Sequence, residues 1–134
     1  MKNPREVSVG SISLSNDKSL KLIAGPCAME SQDHAMDVAG KLKEICAKLS
    51  LEFIFKTSFD KANRTSLKGK RGVGLEQSLS IFDKIKKEIK VPILTDVHNI
   101  EQCSVIAEHV DILQIPAFLC RQTDLLIAAA KTKK

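Results

Sequence analysis

The chain has no tryptophan and no tyrosine, and its five phenylalanines are its only aromatic side chains. Single-stranded nucleic acid is usually gripped on aromatic platforms interleaved with basic residues. That arrangement is missing despite a formal charge of +5, so no nucleic-acid partner is expected. No window approaches the roughly 18 unbroken apolar residues of a membrane span. The opening "MKNPREVSVGSISLS" has no apolar signal core, so the expectation is a cytoplasmic protein with no membrane partner. Cys27, Cys46, Cys103 and Cys120 lie far apart with no C-x-x-C pair. Disulfides and a self-contained zinc site are therefore both disfavoured. "GPCAMES" is neither G-x-G-x-x-G nor a P-loop, and no low-complexity linker divides the chain.

What is present suits one domain: 134 residues, 43% hydrophobic and 28% charged, enough to bury a core. The pattern alternates. "EVSVGSISLS" alternates about a central glycine and reads as a hairpin within an N-terminal cap, residues 1–19. From residue 20 onward four strand–helix units follow. "LKLIAGPCA" is a strand ended by Gly-Pro, and residues 31–50 are a helix. Ser31 is its N-cap, and Ala35, Val38, Leu42, Ile45 and Leu49 form its apolar stripe. "LEFIFKTS" is a second strand, and residues 74–90 are a helix with Leu75, Leu79, Phe82, Ile85 and Ile89 on one face. "VPILTDV" is the third strand, and Asn99 caps the short helix after it. "VDILQIPA" and "QTDLLIAAAKTKK" make the fourth unit.

Such repeats imply a parallel sheet with right-handed crossovers, in either a small doubly wound domain or half of a (β/α)8 barrel. Alternate residues of a strand share a face. One face carries Ile23, Gly25 and Cys27, then Ile54, Lys56 and Ser58, then Leu94 and Asp96, then Ile112, Gln114 and Pro116. Each set is apolar or small early and mostly polar at its C-terminal end. The opposite faces offer Leu22, Phe53, Phe55, Ile93, Leu113 and Ile115 to helices. Polar side chains at every strand's C-terminal end are the mark of a barrel's active-site rim, whereas a doubly wound sheet binds at one crevice. The fold expected is therefore α/β, the N-terminal half of a TIM barrel preceded by a short β-hairpin, with residues 1–134 forming a single partial domain.

At the end of the second strand stand Lys56 and Ser58, and Lys61, Asn63 and Arg64 follow in the loop. Clustered cations repel unless an anion lies between them, and phosphate suits both the compact Lys charge and the Arg fork. On charge alone a solvated basic loop is the simpler reading. The strand-end placement, with Asp96 and Gln114 facing the same way, favours an anion cradle. Cys27 reads first as a small buried residue. As a nucleophile it would want His34 or His98, and as a metal ligand it would need partners, of which His98 is the one within view. His109 reads as structural, and Cys46 and Cys103 read as core.

"LIAGPCAMES", "FKTSFDKANRTS", "ILTDVH" and "DILQIPAFLCRQTDLLIAAAKT" resemble successive strand-end motifs of the 3-deoxy-D-manno-octulosonate 8-phosphate synthase family. "KANR" and "QIPAFLCRQTDLL" are the most specific. The sister 3-deoxy-arabino-heptulosonate 7-phosphate synthases have a Lys-Pro-Arg-Thr run where this chain has Lys61-Ala62-Asn63-Arg64-Thr65, a weaker match. The resemblance implies homotetrameric barrels that condense phosphoenolpyruvate with arabinose 5-phosphate, releasing phosphate, on the route to lipopolysaccharide. It implies that Lys56 and Ser58 hold phosphoenolpyruvate, with Gln114, Pro116 and Ala117 shaping that pocket. Lys61 would lie between the substrates for proton transfer and Asp96 would orient groups at the centre. Asn63 would meet sugar hydroxyls, Arg64 and Thr65 would take the sugar phosphate, and Arg121 would reach a neighbouring subunit's sugar phosphate. Cys27 resembles the metal-dependent branch, implying a divalent ion such as zinc, iron or manganese. Family members run about twice this length, as an eight-unit barrel requires. The other metal ligands would lie in that further half. The competing expectation is an inactive remnant, or a split half that needs a partner chain.

Overall fold

A computed structural model describes residues 5–134, so the first four residues of the expected N-terminal cap lie outside the described residues. Strands β1 (Val7–Val9) and β2 (Ile12–Leu14) pair antiparallel about Gly10, whose φ of 57° is one that glycine adopts without strain. Then come β3 (Lys21–Ala24), α1 (Gln32–Lys48), β4 (Glu52–Lys56), α2 (Leu75–Lys84), β5 (Ile93–Asp96), α3 (Ile100–Ala107), β6 (Ile112–Gln114) and α4 (Thr123–Lys131). The four later strands are parallel and lie in chain order, β3-β4-β5-β6. A doubly wound sheet reverses its strand order at a switch point. No reversal occurs here, so the four units follow one another as in a barrel.

The two sheet faces differ in what covers them. Phe53, Phe55 and Ile93 face outward into the main core with Ala35, Ala39, Cys46, Phe82, Ile85, Cys103, Ile106 and Leu125 from the four helices and the turn after α2. On the other face Ile54 and Leu94 are buried beneath Ile12, with Leu14 and Ile112 beside them. The hairpin thus covers the N-terminal half of the inner face, and the C-terminal half stays polar.

Local chemistry explains the helix starts. Ser31 accepts the His34 N–H at 3.1 Å, and Asn99 accepts the Gln102 N–H at 3.0 Å, each satisfying a first-turn donor. Two expectations need correction. Ile45 and Leu49 are 51% and 63% exposed, because α1 lays its small residues Ala35, Ala39 and Cys46 on the sheet. Small side chains let the helix approach closely, and the contact line follows 35, 39 and 46, with Val38 and Leu42 packed beside it as expected and Ile45 and Leu49 turned outward. The helix expected through residue 90 also changes pitch. Ile85–Ile89 form a π turn ended by Lys90 in the left-handed region at φ 58°. The wider turn keeps Ile85 fully buried and Ile89 packed on the core.

Beyond β3, Gly25 passes hard against β4. A Cβ there would sit 2.8 Å from the Lys56 carbonyl carbon and closer still to its oxygen. Gly25→Ala is expected to cost about 3 kcal/mol by forcing the strands apart. Ile12→Ala, which empties the hairpin's contact with Ile54 and Leu94, is expected to cost about 3 kcal/mol by lost burial and a cavity. Urea denaturation checks both, and midpoints equal to the parent's would show that neither contact holds the sheet as described.

Candidate anion-binding site at the strand ends

Backbone pairing runs on past the assigned strands and fixes where the polar side chains stand. Met29 N–H donates to the Ser58 carbonyl at 2.8 Å, Thr57 N–H to Leu94 at 3.3 Å and Val97 N–H to Gln114 at 3.1 Å. The buried Thr95 hydroxyl donates to the Thr57 carbonyl at 2.7 Å. These bonds hold the C-terminal ends of neighbouring strands level, so their alternate side chains meet in one pocket of about 210 Å³.

Lys56, Ser58, Asp96 and Gln114 reach this pocket from the strand ends. Lys61 and Asn63 enter from the loop after β4, and Pro116 and Ala117 close it beyond β6. The other expected residues stand outside its lining. Arg64 is half-buried with its Nε unpartnered, and its Nη1 lies 3.4 Å from the Ala62 carbonyl. Thr65 and Arg121 are exposed, Thr65 on the outer loop and Arg121 beyond the short turn Ala117–Leu119. Cys27 is exposed rather than buried, and the Lys61 ammonium donates to its sulfur. Cys46 and Cys103 are buried in the helices, and burial pushes the Cys103 thiol pKa up. His109 pairs with Asp83 at 2.8 Å on the surface.

Two polar residues of the pocket, Asp60 and His98, were not placed there by the sequence, His98 having been named only as a possible partner of Cys27. The alternation that placed Lys56 and Ser58 inward continues to residue 60, and that of Leu94 and Asp96 continues to residue 98. Extending the period past the strand ends would have found both. His98 Nε2 lies 3.0 Å from an Asp96 oxygen, and its ring meets Phe59 edge-on at 5.8 Å. Burial is the largest single influence on Asp96 and pushes its pKa up. The His98 contact and charge and the nearby Ser58 hydroxyl outweigh it, so the carboxyl lies below its ordinary range. Asp60 is also held low, chiefly by its hydrogen bonds from Arg71 and against a smaller effect of burial.

The two carboxylates are thus engaged by His98 and Arg71. Lys56 forms no ion pair among the described residues, and the one side-chain hydrogen bond of Lys61 among them goes to a thiol. The arrangement can accept a small polyanion, with hydroxyl and amide donors for its neutral groups. It does not amount to a metal centre. Among the described residues no group of three or more His, Cys, Asp and Glu side chains is placed to hold a metal ion, and the Cys27 sulfur faces an ammonium. Among the same residues no helix is long and apolar enough to cross a membrane.

Comparison with known proteins gives the chain's family. The sequence pattern of the DAHP synthetase I family matches residues 3–134. A 2-dehydro-3-deoxyphosphooctonate aldolase of Chelativorans sp. (strain BNC1) is 61% identical over 132 residues, covering 98% of this chain and 48% of that protein. Proteins of the same name from Brucella anthropi and Brucella ovis are 59% and 60% identical over 126 residues, covering 94% of this chain and 46% of theirs. The chain spans about half the length of the curated relatives it matches, so its four strand–helix units fit half of an eight-unit barrel. On the match along nearly its whole length, the chain belongs to the DAHP synthetase I family.

Proposed function

We propose that the pocket takes part in condensing phosphoenolpyruvate with arabinose 5-phosphate to give 3-deoxy-D-manno-octulosonate 8-phosphate and inorganic phosphate. One observation carries this reading. Lys56, Lys61 and Asn63 converge with Ser58 and Gln114 on a single strand-end pocket, in a chain about 60% identical to proteins named for that eight-carbon product.

In the proposed reaction the enol carbon of phosphoenolpyruvate attacks the sugar aldehyde, and a proton goes to the aldehyde oxygen. Water then adds to the cationic carbon, and phosphate leaves with cleavage of the C–O bond. Lys56 and Ser58 hold phosphoenolpyruvate, while Gln114, Pro116 and Ala117 wall it in. Lys61 stands between the substrates and hands over the proton, and Asp96, steadied by His98, orients the groups beside it. Asn63 receives sugar hydroxyls, with Arg64 and Thr65 beyond it for the sugar phosphate. Arg121, on the surface past the pocket, serves a neighbouring copy in a homotetramer. Residues 1–134 act in this proposal as a single partial-barrel domain in the cytoplasm. Cys27 would supply one thiol to a divalent ion such as zinc, iron or manganese, whose other ligands are not among the described residues. No step is assigned to that ion, and added metal is an arm of the test.

Phosphate release by the purified chain decides the matter, with phosphoenolpyruvate supplied with and without arabinose 5-phosphate and with and without divalent metal. Release is expected to require the sugar and to fall about 100-fold or more in Lys61→Ala. A four-carbon aldose phosphate preferred over arabinose 5-phosphate would move the assignment to the sister synthases. No release from folded chain would favour the second reading, in which the motifs are inherited and idle or need a partner chain.

A further inference from the structure

Asp60 and Arg71 stand near the two ends of the loop between β4 and α2, far apart in sequence but joined. Arg71 Nε and Nη2 donate to the two Asp60 oxygens at 2.7 and 2.6 Å, a fork gripping a carboxylate. The Arg71 carbonyl accepts the Lys61 N–H at 2.5 Å, and the Gly74 N–H donates to the Phe59 carbonyl at 3.0 Å. Gly72 has φ 114°, and a Cβ there would lie 2.6 Å from the Phe59 oxygen, so the second leg of the loop runs tight against the first. The base of the loop is closed, and the segment carrying Lys61, Asn63, Arg64 and Thr65 hangs from it.

The Asp60 side chain lines the anion pocket and is only 19% exposed, whereas Arg71 lies outside that lining and is 54% exposed. A carboxylate in that position is the wrong charge for an anion site. Unpaired, it would draw on the cations nearest to it, and Arg64 already adds to the lowering of its pKa after Arg71. A cation engaged by Asp60 is lost to a ligand phosphate.

We propose that Arg71 is a positioning residue for the anion-binding loop. By occupying both oxygens of Asp60 and holding the Lys61 backbone, it presents Lys61, Asn63 and Arg64 to the ligand and keeps Asp60 from neutralising the two cations among them. The inference rests on the pocket being the anion site proposed above, and it assigns Arg71 no contact with the substrates.

The test is calorimetric titration of the full chain with phosphoenolpyruvate and, separately, with arabinose 5-phosphate, alongside hydrogen exchange at the Lys61 amide. Arg71→Ala is expected to weaken binding about tenfold and to speed exchange at Lys61. Arg71→Lys keeps the charge but not the fork, and should fall between it and the parent. Adding Asp60→Asn to Arg71→Ala should restore most of the affinity, because the competing carboxylate is gone. A merely structural clamp would not show that recovery. Parent affinity in Arg71→Ala, or a double variant no better than the single one, overturns the proposal. A parent chain that binds phosphoenolpyruvate but releases no phosphate with the sugar overturns the proposed function and leaves the role of Arg71 standing. A parent chain that binds neither overturns both.

Acid stability gives a second readout. Asp60 is depressed by Arg71, so the pair's contribution is fully present above the ordinary carboxylate value of about 4 and is lost as pH falls through the lower folded value. Arg71→Ala should flatten the acid side of the stability curve in urea titrations. An unchanged acid slope would mean that Asp60 is not held by Arg71.

Discussion

A side chain at Gly25 would collide with the Lys56 carbonyl, and much of the site depends on that close passage. With nothing but hydrogen at position 25, the chain leaving β3 can keep beside the end of β4, where Ala28 and Ser58 pair as an isolated bridge. The Met29 N–H then reaches the Ser58 carbonyl at 2.8 Å. This brings Cys27 within reach of Lys61, which lies 34 residues further on. Further bonds of the same kind carry the alignment across β5 and β6, so functional groups from separate segments share one rim. The chemistry of the pocket is a consequence of backbone register before it is a consequence of any side chain.

Charge then decides what the rim can hold. Asp60 and Asp96 both face the pocket, but each is engaged, by Arg71 and by His98. Lys56 has no ion-pair partner among the described residues, and the Lys61 contact with a thiol neutralises less than a carboxylate would. Repulsion among nearby ammonium and guanidinium groups is tolerable in water and grows as water is excluded, so such a cluster is most stable with an anion between its members. The cradle therefore suits a small anion better than a neutral group, with the Ser58 hydroxyl and the Asn63 and Gln114 amides beside it.

The sequence carried this much because a strand repeats every two residues and a helix about every 3.6, and both periods survive tertiary packing. Ser31 and Asn99 were legible as caps because a short oxygen-bearing side chain ahead of an apolar period has one strong local use. What escaped depended on distant partners. Ile45 and Leu49 fitted a helical stripe as well as Cys46 did, and the closer approach allowed by Ala35, Ala39 and Cys46 turned α1 about its axis. The π turn at Ile85–Ile89 answers to where Ile85 and Ile89 must pack, not to any local preference. Asp60 and His98 escaped the pocket for another reason: the inward alternation was read only to the ends of the strands expected from the sequence, yet it continues into the loops.

Stability and binding are also divided in space. The outer face of the sheet holds the large apolar cluster built from all four helices and the strands, while the inner face holds a small one around Ile12, Ile54 and Leu94. The pocket lies at the polar end of the inner face, where apolar contacts thin out and hydrogen bonds and ion pairs take over. Regions with few buried apolar contacts open at lower free energy than the core. The loop from Asp60 to Arg71 lies in such a region and owes its shape to a few polar bonds at its base. Loss of an outer-core side chain should therefore act on the whole fold through lost burial and cavity formation. Loss of a polar contact at the rim should act mainly on how the cations are presented.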